Sequence, residues 1–374
     1  MKILYFFPEK DSNMYRWQRI HFFNELARHG IEIESFNPLV YSTWDEANDA
    51  VLSVIKGRHF DLFMAGICNE HMLYIDTLKC IKQYGLPTLS FRPDNLTIPF
   101  NDKNLAPHFD LLWLTSKETK PLYDKWNVKT CFAPYAANPY AFSYHPHAII
   151  HRMCFIGTPY GSRARMINSF TCADVEMDLF YSKTPIGNAN VSSAESLKLT
   201  IYNRNKLQRK LDLMKYKEGR TLLYGQLMNR VLKRRSEDLK ENEHLHFLPS
   251  IPVEELSNPY SSYALSLAST SNGHTDVLKN PLKIINLRNF EIPMSGGIEF
   301  CRYNPELAEY FEDGKEIIFY HTDEEMIDKA KYYTEKAADE EIFRIKRSAR
   351  KRAECDHTWM KRFAVAFDTL GLKY

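Results

Sequence analysis

The chain of 374 residues is longer than one ordinary hydrophobic core serves, so two domains are expected. Apolar residues at 44%, charged residues at 26% and a net charge of +2 describe a globular protein whose surface as a whole is not built for nucleic acid. Seven cysteines, scattered through apolar runs and without a C-x-x-C pair, exclude a disulfide framework and a structural zinc site and place the chain in a reducing cytoplasm.

No apolar run reaches the roughly 20 residues that span a bilayer. The first residues, Met1 to Phe7, have the hydropathy of a short signal segment, but Pro8-Glu9-Lys10-Asp11 stops it, so a first strand is expected instead. From there strands are expected at 2–7, 31–36, 62–67, 88–91, 111–115 and 130–133, with helices at 15–29, 44–56, 72–84 and 117–126 between them. Gly30 and Gly85 follow two of these helices as C′ glycines do. Strands alternating with helices of this length predict βαβ units in a parallel, doubly wound α/β sheet, with ligands beyond the carboxyl ends of the strands. The loop after the first strand has no glycine, which argues against a simple NAD-binding fingerprint.

Residues 136–152 are rich in Pro, His and aromatics without a period and read as an interdomain connection. The histidines there, His145, His147 and His151, have no carboxylates or cysteines at ligand spacing, so no metal site is expected. A second α/β rhythm follows: a strand at 153–156, a Gly157-Thr158-Pro159-Tyr160-Gly161-Ser162-Arg163 turn into a helix, and a strand at 175–180. The turn reads either as a βα turn that needs Gly for its backbone or as an anion cradle with Arg163 in the first helical turn. A mostly helical, basic insertion occupies about 184–242, with thirteen Lys or Arg against four Asp or Glu between Lys198 and Lys240. Leucines, methionines and valines are interleaved with these charges, so the segment reads either as a solvated helical hairpin or as a face for an anionic membrane.

Strands are then expected at 244–248 and 264–268, with a small polar loop, Ser269 to His274, at the second one's carboxyl end. Asn286 to Gly297 brings Arg288, Glu291 and the Gly296-Gly297 pair together ahead of a strand at 298–301. An Arg, a carboxylate and backbone N–H groups suit a nucleotide diphosphate, the cation for phosphates and the carboxylate for ribose. A capped helix start with an exposed Arg–Glu pair fits the same residues. A helix at 304–311, a strand at 316–320 and helices at 323–336, 339–354 and 358–370 complete the chain.

Phe155 to Arg163 and Leu287 to Gly297, with Tyr303-Asn304-Pro305-Glu306-Leu307, Gly314-Lys315-Glu316 and His357-Thr358-Trp359, resemble in order the motifs of spore-maturation (CgeB-like) glycosyltransferases, relatives of the glycosyl transferases group 1. Pro134 to Pro139 is similar to the segment that joins the two domains there. The resemblance implies the GT-B fold: two Rossmann-like doubly wound domains facing an interdomain cleft, with C-terminal helices crossing back. It implies residues 1–140 as an acceptor domain, 141–152 as linker, 153–355 as a nucleotide-sugar domain with the basic insertion, and 356–374 as a crossover helix.

The implied activity is metal-independent, retaining transfer of a sugar from a nucleotide-diphosphate donor to a glycan, lipid-linked glycan or protein acceptor, with no cofactor. Such chemistry serves surface polysaccharide or glycoconjugate biosynthesis in the cytoplasm or at the inner face of the membrane. Glu291 takes the ribose position. Arg163, Arg288 and Lys283 fall to the phosphates, Gly157, Gly296 and Gly297 to close backbone approach, Asn289 to the donor, and Leu248, in the Phe247–Pro249 loop, to the base. The family's earlier glutamate is Lys283 here, so E-x7-E reads K-x7-E, and a lysine there meets a diphosphate as a point charge. That departure also suits a non-catalytic surface-coat protein on the same fold. Catalytic residues stay open; Asp94 and His71 are polar candidates on N-terminal loops, with Lys283 a third.

Overall fold

Short apolar runs between helices become two parallel six-stranded sheets. The computed structural model describes residues 1–10, 13–144, 146–159, 162–182, 205–232 and 238–374. His145, Tyr160 and Gly161, and the 183–204 and 233–237 parts of the expected insertion, therefore lie outside the described residues. Of the described residues, 1–134, 205–223 and 359–374 form one unit, and 135–182 and 224–358 form the other.

In the first unit the strands are β1 Lys2–Phe6, β2 Glu32–Phe36, β3 Leu62–Ala65, β4 Thr88–Arg92, β5 Leu111–Leu114 and β6 Thr130–Phe132, ordered β2-β1-β3-β4-β5-β6 and all parallel. Every residue of β3, β4 and β5 is buried, whereas the edge strands are only partly so. That is the burial expected when helices cover both faces of a parallel sheet. The C-terminal helix, Trp359–Leu370, completes this core. Trp359 meets Phe22 edge-on at 4.5 Å, and Phe363 stands perpendicular to Trp113 at 5.0 Å. The backbone N–H of Met360 donates to the buried Glu25 carboxylate at 2.6 Å.

In the second unit β7 Ile150–Ile156, β8 Met177–Phe180, β9 Leu245–Leu248, β10 Tyr263–Leu267, β11 Glu299–Arg302 and β12 Ile318–Tyr320 are ordered β12-β11-β10-β7-β8-β9, again all parallel. This is the dinucleotide-fold order, and its direction of winding reverses between β7 and β10. A crevice therefore opens beyond the carboxyl ends of those two strands, where Gly157 follows one and Ala268 the other.

Two expectations are revised. Residues 150–152, assigned to the linker, are the start of β7, because they extend the ladder to Tyr263 of β10. The insertion, assigned whole to the C-terminal domain, is divided. Its helix Lys206–Leu213 opens with a capping box between Asn205 and Gln208, and the Tyr216 hydroxyl donates to the Leu96 carbonyl at 2.8 Å, within the first unit. The helix Lys217–Val231 spans the division; toward its end Asn229 donates to the His274 carbonyl at 2.7 Å, within the second unit.

Trp359 is fully buried among four aromatic residues of the first unit, Trp17, Phe22, Phe91 and Trp113. Trp359→Ala is expected to destabilise that unit by about 3–5 kcal/mol, read as a lower urea midpoint in far-UV circular dichroism.

Candidate functional site

The site grows out of the end of β7. Gly157 has φ +136°, a conformation that side chains rarely adopt, and its N–H completes the ladder to the Phe180 carbonyl at 3.2 Å. A Cβ on Gly157 would lie 3.0 Å from Nη2 of Arg288. The same nitrogen donates to the Ile156 carbonyl at 2.7 Å, so the guanidinium closes over the strand end. Phe155 supplies an aromatic surface for two cations, Arg288 at 5.3 Å and Arg163 at 5.9 Å from its ring centre. Arg163, in the first turn of the helix Ser162–Thr171, also donates to the Thr158 carbonyl at 3.3 Å. Burial opposes the charge on Arg288, but Tyr260, Glu291 and Glu299 outweigh it and hold the guanidinium above its ordinary range.

A partly buried amide network fixes the backbone that carries Arg288. Asn286 accepts the Arg288 N–H at 3.1 Å and donates to the Ser269 carbonyl, just beyond β10, at 3.0 Å. Asn289 accepts the Asn286 N–H at 2.8 Å and donates to Glu299 at 2.5 Å. Arg288 begins the helix Arg288–Met294, and Glu291 lies one turn along it, buried and in electrostatic contact with Arg288 and Tyr260. Gly157, Arg163, Arg288 and Glu291 thus come together at the β7–β10 switch point. Tyr260 and Phe155 complete the cluster; Phe155 opens one of the motifs quoted above, whereas no sequence signal marks Tyr260.

The other expected site residues are placed differently. Asn289 is fully buried and committed to Asn286 and Glu299, so it supports the site and is not open to a donor. Gly296 and Gly297 are not phosphate donors, because their N–H groups close the helix onto the Pro293 and Ile292 carbonyls at 2.9 Å each. The space a Cβ would take is filled by the Tyr144 ring at Gly296 and by the Tyr260 carbonyl at Gly297. Lys283 pairs through its backbone with Ser271, and its electrostatic neighbours are Arg302, Cys301 and Asp276 rather than Arg288. Leu248 ends the edge strand β9, two strands from β7, and its carbonyl accepts the Tyr181 N–H at 3.0 Å.

Asp94 and His71 belong to the first unit, on the loops after β4 and β3. Asp94 is exposed at φ 53° in a turn closed by the Thr97 N–H, and the exposed His71 ring lies 3.8 Å from the Glu70 carboxylate. Beneath that turn the first unit buries an Arg92–Asp102 ion pair at 2.7 Å, which sequence patterning does not reveal.

Two doubly wound parallel sheets with these strand orders are the GT-B fold. Residues 204–368 match the family model described as "Glycosyl transferase-like". Among solved structures, a glycosyltransferase from Rickettsia africae is similar over 99% of this chain and 98% of its own, with 9% identity and a TM-score of 0.59. HepE of Anabaena, in complex with UDP and glucose, is similar over 99% of both chains, with 13% identity and a TM-score of 0.55. An alpha-glucosyltransferase in complex with UDP and a 13-mer DNA is similar over 99% of both chains, with 12% identity and a TM-score of 0.57. No curated relative matches the sequence.

Burial raises the Glu299 carboxyl from its ordinary 4.5 to about 7, against the opposing bond from Asn289. The folded state therefore holds this proton more tightly than the unfolded chain, and Glu299 costs stability increasingly as pH rises from 4.5 to about 7. Glu299→Gln removes the titration and keeps an acceptor for Asn289. The variant is expected to melt several degrees above wild type at pH 8, with the gap closing towards pH 5, in paired calorimetric scans.

Proposed function

We propose that the protein is a glycosyltransferase of the CgeB-like branch, using a nucleotide-diphosphate sugar without a bound metal and with retention at the anomeric carbon. The observation that carries this reading is the Arg288 guanidinium closing over Gly157 at the switch point with Glu291 in electrostatic contact, Arg288 and Glu291 both lying within the family match. When the sugar leaves, negative charge grows on the β-phosphate; fixed guanidinium groups stabilise it without reorganising. Arg288 is held charged and oriented by Ile156, Tyr260 and Glu291, and Arg163 stands on the same aromatic ring. Glu291 would accept the ribose hydroxyls. The UDP complexes of the structural relatives support a nucleotide-sugar partner. A glycan, lipid-linked glycan or protein acceptor in surface polysaccharide or glycoconjugate biosynthesis fits the same reading.

The insertion supports work at the inner face of a membrane. Leu207 and Leu211 on the helix Lys206–Leu213 are 67% and 47% exposed, among Lys206, Arg209 and Lys210. Tyr224, Leu227 and Val231, at helical spacing on Lys217–Val231, are each more than half exposed. Apolar side chains beside lysines and arginines suit anionic lipid. None of the described helices is long and apolar enough to cross a membrane.

Glu291→Ala is expected to weaken UDP binding at least tenfold in titration calorimetry, and unchanged affinity would remove the ribose assignment. Liposomes with anionic lipid should carry the protein upward in a flotation gradient at low salt, and Leu227→Glu with Val231→Glu should abolish this. Protein that stays at the bottom with wild-type sequence would end the membrane reading.

A further inference from the structure

A cavity of about 260 Å³ opens beyond β10, β11 and β12, walled by the helix Ser162–Thr171. Gly157, Arg163, Arg288 and Glu291 do not line it. Three of its lining residues are cations, Arg165, Lys279 and Arg302, and two are carboxylates, Asp276 and Asp323. Both carboxylates are already engaged: Arg302 donates to Asp323, and the Ser271 hydroxyl donates to Asp276. Among the described residues, Arg165 and Lys279 have no carboxylate within ion-pair distance.

Lys283 adds a further cation next to the cavity. Its backbone pairs with Ser271 of the wall, and its half-buried ammonium faces Arg302. Burial, and then Arg302, pull its pKa down, and Cys301 and Asp276 offset this only in part. Like charges gathered beside a partly desolvated space are unfavourable unless an anion joins them.

We propose that this cavity is a second anion site, separate from the Arg288 cluster, which binds the phosphate monoester of a small polyhydroxylated compound such as a sugar phosphate. Arginine offers a planar fork to phosphate oxygens, and the lysines add point charges. The Ser162, Ser169 and Ser271 side chains and the two carboxylates supply hydrogen-bond partners for hydroxyl groups. The volume lies below the roughly 300 Å³ at which sites for drug-sized ligands begin, so a single small ring fits and a whole nucleotide sugar does not.

The test is titration calorimetry on the full chain with three probes, glucose 6-phosphate, inorganic phosphate and UDP, and three variants, Arg165→Gln, Arg165→Lys and Glu291→Ala. Glucose 6-phosphate is expected to bind more tightly than inorganic phosphate. Its affinity should fall at least tenfold in Arg165→Gln and less in Arg165→Lys, and should be unchanged in Glu291→Ala. A melting temperature within a degree or two of wild type shows that each variant is folded, whether or not UDP binds, so failure of the donor assignment leaves the test intact. The proposal is overturned if glucose 6-phosphate binds no better than inorganic phosphate, if Arg165→Gln leaves its affinity unchanged, or if Glu291→Ala abolishes it.

Discussion

A guanidinium enclosed at the end of a parallel strand is the constraint on which the second unit's site depends. A buried cation is tolerable only where acceptors and counter-charges surround it. Arg288 has the Ile156 carbonyl, Glu291, Glu299 and Tyr260. A Cβ on the residue after Ile156 would crowd the guanidinium at 3.0 Å, so Gly157 and Arg288 suit each other across distant parts of the sequence. The sheet order makes them neighbours, because winding reverses between the strands that precede them. Asn286, Asn289 and Glu299 hold the arrangement, joining the end of β10 to the start of β11 through side-chain amides and the backbone groups they bond. The chemistry of the site therefore rests on topology first and on individual ligands second.

The same domain contains two kinds of cation. Arg288 is locked by its own protein into a fixed direction, as a transition-state stabiliser must be. Arg165 and Lys279 line open space without that support, and Lys283 stands behind the cavity wall beside Arg302. The lysine that stands where the resembled family has a glutamate belongs to the second kind. Its replacement of a carboxylate reverses the sign of the charge beside Arg302, from attraction to repulsion.

Much of this architecture is legible in the chain. All twelve strands lie within a residue or three of the apolar runs that announced them, since a buried parallel strand needs a continuous apolar stretch. Helix ends were harder: the helix expected from 72 begins at Ile75, after the turn of Asn69 to Tyr74 that caps onto Asn48. The pairing of Gly157 with Arg288 was foreseen as a shared site but not as a contact, because no local pattern encodes it. The Gly296-Gly297 pair misled for a physical reason. A glycine that ends a helix and one that admits a phosphate leave the same mark in sequence, and only the Tyr144 ring and the Tyr260 carbonyl tell them apart. The division of the basic insertion was invisible too, since Tyr216 and Asn229 are ordinary helix residues until their distant carbonyl partners are known.

The aromatic nest round Trp359 has a consequence for synthesis. Domains ordinarily fold in the order in which they leave the ribosome. Here the first sheet is translated early, yet Phe22, Phe91 and Trp113 keep an uncovered face until residues 359–374 emerge, long after the second sheet is complete. The later domain can therefore finish first. Throughout elongation the nascent chain presents an oily surface with its natural cover still untranslated, which is the kind of surface that chaperones hold.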